Sequence, residues 1–138
     1  MTVVIARRAC LWVVAVHTVV AFVHNQAHRQ IDVALSNFQS AFALVVIVVA
    51  PAVAAAIIWR GHPRRGATVL VLSLLASLIF GVVNHFMIDS PDQLAHISND
   101  GWGKIFTISA YALALTELVG ILAGMALISV SRSVKPEV

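Results

Sequence analysis

Charged residues are scarce in this sequence of 138 residues: 11% are Asp, Glu, Lys or Arg, whereas 60% are hydrophobic. A soluble domain carries about 25% charged residues, so this chain has too little charge to cover the surface of a water-soluble globule. The sequence therefore predicts an integral membrane protein. The net charge is +3, but the basic residues cluster beside hydrophobic segments, which indicates membrane topology and not nucleic-acid binding.

Other kinds of chemistry are excluded because their residues are missing. The single cysteine, Cys10, allows neither an internal disulfide nor a CxxC motif. The chain contains no phosphate-binding loop, dinucleotide fingerprint or nucleophile elbow. Met87 is the only methionine near the histidines described below, which argues against a methionine-rich Cu(I) relay.

Long hydrophobic runs are present, and four of them suffice to cross about 30 Å of hydrocarbon, which takes about 20 helical residues. We place them at about residues 9–29, 37–59, 67–88 and 104–130. Lipid offers no partner for backbone polar groups, so these runs must be helical. We therefore expect one all-α domain over residues 1–138, a membrane four-helix bundle. No clear Ala-x-Ala cleavage site follows the first run, so we expect it to be retained and not removed as a signal peptide.

Basic residues predict how the helices are oriented. Arg7 and Arg8 precede the first helix, three arginines lie in the 60–65 loop, and Arg132 and Lys135 follow the last helix. The positive-inside rule assigns all three groups to the cytoplasm. Since four spans bring the two termini to the same side, we expect a multi-pass protein with both termini cytoplasmic.

The loop between the third and fourth helices is expected to lie on the outer side. Ser90 can cap a helix, Pro91 suits its first position, and Gln93 occupies the capping-box position. These signals predict a short surface helix that runs through about His96. Trp102 would then lie at the membrane interface.

Three histidines of the first helix form the most informative pattern in the chain. His17, His24 and His28 are separated by seven and four residues, which places them within about 40° of one another around a helix. Ionisable side chains are rare in membrane helices and usually mark a pathway or a site. This stripe therefore indicates a functional site inside the bundle.

The predicted topology brings His85 of the third helix to the depth of His24. His24 and His28 are spaced so that both imidazoles can reach one metal ion, and His85 would complete a set suited to zinc, copper or iron. Alternatively, His24 and His85 could be the axial ligands of a b-type haem. Asn25 and Asn84 are candidates for orienting a substrate or a water molecule.

His17 and Glu117 are predicted to lie at a matching depth near the middle of the membrane, on different helices. They are a candidate catalytic acid–base pair. Glu117 shares a helix face with Gly120 and Gly124, whose small-xxx-small spacing lets helices approach closely. We therefore expect its carboxyl group to point into the bundle.

Four functions remain open from the sequence. The leading one is binding of a transition metal or a haem in an outward-facing polar pocket. The second is an embedded isomerase, cyclase or hydrolase that acts on a lipid-soluble small molecule through His17 and Glu117. The third is transport of protons or metal ions, which with four helices would require a homo-oligomer. The fourth is an accessory subunit in which the polar residues only hold helices together.

Overall fold

Four long helices make up the computed structural model, which describes residues 2–132. They are α1 (Val3–Gln30), α2 (Asn37–Trp59), α3 (Pro63–Met87) and α4 (Gly101–Arg132). Each is long and apolar enough to cross a membrane, and the described residues contain no strand. The predicted all-α class and the number of spans are confirmed. Lys135, which contributed to the topology prediction, lies outside the described residues.

Two of the helices, α1 and α2, begin at recognisable side-chain caps. The hydroxyl of Thr2 accepts from the backbone N–H of Ile5 at the start of α1 (3.4 Å), and Ser36 forms a capping box with Gln39 at the start of α2. α1 begins at Val3, earlier than the hydropathy predicts. The first turns of α1 contain the arginines and extend beyond the apolar run, because nothing in this segment breaks a helix.

The packing of the bundle is uneven along its length. α4 packs against both α1 and α3, α3 packs against α2, and α2 meets α1 mainly through Ala50–Trp59. At this end of the bundle the Arg7 guanidinium donates to the Trp59 carbonyl (2.5 Å). The main apolar core lies in this half of the bundle and includes Cys10 and Ile58. The opposite half, which we call the polar half, contains the buried side chains of His24, His28, His85 and Asp92.

Gly120 and Gly124 lie where α4 comes closest to its neighbours. A Cβ atom on Gly120 would lie 2.3 Å from Leu74 Cδ1 and 2.9 Å from Val13 Cγ1, and one on Gly124 would lie 2.6 Å from Val71 Cγ2. At such distances a neighbouring side chain or a helix would have to shift, so these two glycines permit the observed approach of α4 to α3 and, at Gly120, to α1. This is the role of a small-xxx-small pair.

Two of the helices contain π-helical segments in the polar half. These are Ala43–Val49 in α2 and Val83–Met87 in α3. Such segments are rare and frequently occur at functional sites, because the extra residue per turn redirects side chains and frees carbonyl groups. In α3 this segment contains His85.

The predicted surface helix after α3 is wrong in its extent. The chain instead makes a turn, in which the Gln93 N–H donates to the Ser90 carbonyl (3.0 Å), followed by one 3₁₀ turn at Leu94–His96. Gln93 is extended (ψ 130°) and interrupts any helix that starts at Pro91. The helix is interrupted here because the side chain of Asp92 turns inward and is buried against His28 and His85.

Candidate metal centre and adjoining cavity

The structure brings together the three histidines that the sequence predicts as metal ligands. His24 and His28 lie one turn apart on α1, and His85 approaches them from α3. All three are buried, with exposed fractions of 6%, 7% and 9%. One ligand atom from each histidine lies within 4.8 Å of those of the other two. We refer to these residues as the histidine centre.

The hydrogen-bond partners of His24 and His85 determine where their protons lie. His85 Nδ1 donates to the carbonyl of Asp92 (2.9 Å), which can only accept. His24 Nδ1 lies 2.9 Å from Ser109 Oγ, whose own proton is donated to the carbonyl of Phe106 (3.0 Å). The His85 Nδ1 atom is therefore a donor, and the His24 Nδ1 atom is one as well while the Ser109 proton is donated to the Phe106 carbonyl. In neutral imidazoles, each Nε2 atom then carries a lone pair.

The two Nε2 atoms of His24 and His85 face each other at 3.3 Å. Two lone pairs at this distance repel each other unless a proton or a metal ion lies between them. In a tetrahedral site with metal–nitrogen bonds of about 2.0–2.1 Å, two ligand nitrogens lie about 3.3–3.4 Å apart. The observed distance therefore matches one edge of a tetrahedral zinc site.

A haem between His24 and His85 does not fit this geometry. Axial nitrogens bind on opposite faces of the iron, so they lie about 4 Å apart with the porphyrin between the two imidazole rings. The two Nε2 atoms are closer than this, and the Phe106 ring packs against both imidazoles with centroid distances of 4.6 and 5.4 Å. The haem alternative is therefore set aside.

Asp92 completes the histidine centre, and the sequence analysis did not identify it. Its Oδ1 lies 3.4 Å from His28 Nε2 and 3.5 Å from His85 Nδ1, and the residue is only 4% exposed. A carboxylate beside the non-ligating nitrogen of a histidine commonly orients metal-binding imidazoles. The pattern Ser90-Pro91-Asp92 by itself predicts only the start of a helix, and the signal for Asp92 is that an acidic residue follows His85 by seven positions.

A cavity of about 860 Å³ adjoins the histidine centre. It is lined by all four helices and by the loop between α1 and α2. His24, His28, His85, Asp92 and Asn25 contribute to its wall. Most of the remaining lining is aliphatic or aromatic, so the histidine centre lies beside a largely apolar space.

Glu117 lies at a second polar position in the same cavity. Its carboxyl group is buried (3% exposed) and accepts a hydrogen bond from the hydroxyl of Ser77 on α3. Glu117 follows Ser109, the partner of His24, by eight residues on α4, which corresponds to about 12 Å along the helix. The inward orientation expected from the sequence is observed, and the cavity connects this carboxyl group with the histidine centre.

His17 does not pair directly with Glu117. Its Nε2 lies 3.0 Å from the carbonyl of Ile47 on α2, and its Nδ1 lies 3.3 Å from the hydroxyl of Thr116 on α4. In an α-helix the Ile47 carbonyl would accept from residue 51, but Pro51 has no N–H. The imidazole of His17 thus donates to the Ile47 carbonyl the hydrogen bond that Pro51 cannot provide. Both ring nitrogens are engaged with these two groups, and the acid–base role of His17 and Glu117 stays a prediction.

The two asparagines occupy different environments. Asn25 lines the cavity. Asn84 instead donates to the carbonyl of Phe80 (2.8 Å) and accepts from the side chain of Gln39 (3.0 Å), which links α3 to the start of α2. It lies on a separate groove beside Phe42. The structure therefore places only Asn25 where it can meet a molecule in the cavity.

The histidine centre, Asp92 and Glu117 thus surround one continuous space between the helices. No protein family model, no curated protein sequence and no solved structure matches this chain. The chemistry of these residues is therefore what indicates its function.

Proposed function

We propose that this membrane protein binds a divalent transition metal at His24, His28 and His85, and that zinc fits the centre best. The observation that carries this proposal is the 3.3 Å contact between the Nε2 atoms of His24 and His85, whose Nδ1 atoms both lie against oxygen atoms that can accept a hydrogen bond. A metal ion removes the repulsion between the two lone pairs. Nitrogen ligands in tetrahedral geometry favour zinc among the metals that imidazole binds.

The third ligand of the proposed site is His28. Its Nε2 faces the Asp92 carboxylate, and its Nδ1 is buried without a hydrogen-bond partner among residues 2–132. Buried polar atoms without a partner are rare and call for an explanation such as a missing ion. Coordination through His28 Nδ1 would satisfy this atom and leave Asp92 to orient the ring.

A three-histidine site leaves one coordination position for water or a substrate. Structural zinc sites usually close around four protein ligands, whereas catalytic sites keep this open position. Because the centre forms part of the cavity wall, we propose a metal-dependent enzyme and not a purely structural site. The metal would supply an activated water molecule or polarise a bound carbonyl group.

The orientation in the membrane forms part of the proposal. Arg7 lies beside Trp59 and the basic 60–65 segment, at the end of the bundle opposite the histidine centre. With the arginines in the cytoplasm, the histidine centre lies in the outer half of the membrane.

Metal analysis of the purified protein tests the proposal. We expect about one zinc ion per chain after zinc loading and gel filtration, and much less for His24→Ala and His85→Ala. His96→Ala is the matched control, because His96 is exposed and pairs with Asp89 in the loop. Substitution with Co²⁺ should give the visible bands of a tetrahedral complex. Equal metal contents in wild type and both variants would refute the proposed centre.

A further inference from the structure

The cavity beside the histidine centre has polar groups at two separated positions and apolar walls between them. Its volume of about 860 Å³ lies within the range of small-molecule sites, about 300–1,000 Å³. The intervening wall includes Ala21, Ile47, Leu78 and Leu113. Such a space suits a molecule with an apolar body and a polar group at each end.

The cavity opens sideways toward the bilayer. Phe22 on α1 and Leu44 on α2 both line it, yet they are 62% and 61% exposed. α2 meets α1 mainly through Ala50–Trp59, so the two helices separate in the half that contains the histidine centre. A lipid-soluble molecule can therefore enter between α1 and α2 without crossing water.

Glu117 supplies the recognition at the deep end. A carboxyl group inside a membrane is costly and usually functional. The hydroxyl of Ser77 engages its Oε1 atom, and Glu117 also lines the cavity. A hydroxyl group on the ligand both donates and accepts, so it can pair with this carboxyl group whether or not the latter is protonated.

The histidine end favours an anionic head group. Arg29 lines the cavity beside His28, and a bound zinc ion would add two positive charges. Asp32 and Asp92 also line this end, and Asp92 is paired with His28 and His85. A carboxylate is thus a suitable ligand for the open coordination position.

We infer that the cavity binds a single-chain amphiphile with its carboxylate at the histidine centre and a hydroxyl group at Glu117 and Ser77. The carboxylate end of this inference rests on the proposed function. The hydroxyl end does not, because it requires only the Glu117–Ser77 pair.

Calorimetric titration of the protein in lipid nanodiscs tests the inference with two probes, omega-hydroxydecanoate and decanoate. Each titration is corrected for partitioning into empty nanodiscs and is run on zinc-loaded and on zinc-free protein. We expect the hydroxylated probe to bind about three- to tenfold more tightly in both forms, as one additional hydrogen bond provides. Zinc should strengthen the binding of both probes.

Variants identify the residues that cause the tighter binding of the hydroxylated probe. Glu117→Leu should abolish it, Glu117→Gln should retain it because the amide still forms hydrogen bonds, and Ser77→Ala should reduce it. Thr68→Val is the matched control, because it also removes a hydroxyl from α3, but from an exposed position that bonds only its own helix.

Each outcome is decisive for one end of the ligand. Equal affinities of the two probes for wild type, or a preference that survives Glu117→Leu, would overturn the hydroxyl end. A preference without any effect of zinc would retain the hydroxyl end and overturn the carboxylate end. Failure of both probes to bind above the empty nanodiscs would overturn the whole inference, whatever the metal content.

Discussion

His17 of α1 donates a hydrogen bond to the carbonyl of Ile47 across the bundle, at 3.0 Å. This carbonyl lies four residues before Pro51 and therefore lacks the donor that an α-helix would provide. The ring also reaches Thr116 on α4. His17 thus links three helices at the level where α2 is π-helical, and its conspicuous place in the histidine stripe reflects a role in the fold.

We expect His17→Leu to lower the free energy of unfolding by about 1–3 kcal/mol, because it leaves the part-buried Ile47 carbonyl without this donor. Pro51→Ala should recover part of this loss, because an N–H at position 51 can take the place of the imidazole. Thermal unfolding of the two single variants and the double variant in detergent measures the coupling. If Pro51→Ala changes the stability of wild type and of His17→Leu by the same amount, the two positions are not coupled in this way.

Asp92→Asn should weaken zinc binding by about 10–100-fold, the usual effect of removing a group that orients a metal ligand. The carboxylate of Asp92 is buried against His28 and His85, whereas that of Asp89 is exposed and pairs only with His96 (3.4 Å). Asp89→Asn is therefore the control and should leave the affinity unchanged. Competition with a chromophoric chelator gives both dissociation constants, and equal effects of the two substitutions would contradict the assignment.

Gly120→Ala should destabilise the bundle by about 1–3 kcal/mol, as overpacking of a tight interface does. The added methyl group would meet the side chains of Leu74 and Val13 at distances that require these side chains or α4 to shift. Gly81→Ala provides a comparison within α3, because the nearest atom to its added methyl group is the His85 ring at 4.0 Å. Thermal unfolding in detergent should show a loss at position 120 and little change at position 81.

A reporter fused to the C-terminus should be located in the cytoplasm. The expected result is fluorescence of a green fluorescent protein fusion and no activity of an alkaline phosphatase fusion, which folds only outside the cytoplasm. The basic residues at the ends of α1, α2 and α4 give this orientation by the positive-inside rule. The reverse pair of results would place the histidine centre on the cytoplasmic side.

The sequence predicted the helices well because a chain in lipid has few alternatives: long apolar runs must satisfy their own backbone groups. It also identified His24, His28 and His85, since helical spacing and common depth follow from topology alone. Asp92 could not be found in this way, because its position depends on how a loop turns back over the bundle. The sequence shows that Pro51 removes a donor from the Ile47 carbonyl, but it could not reveal that this carbonyl faces His17 across the bundle, which depends on how α1 and α2 pack.

The proposed ligands of the histidine centre come from α1 and α3, and Asp92, which orients them, comes from the segment that follows α3. The centre therefore does not exist until the third span has been inserted and the next segment has folded against it. In the proposed orientation this places metal acquisition after membrane insertion, from the aqueous compartment outside the cytoplasm. The zinc supply of that compartment, and not cytosolic metal delivery, would then decide how much of the protein is active.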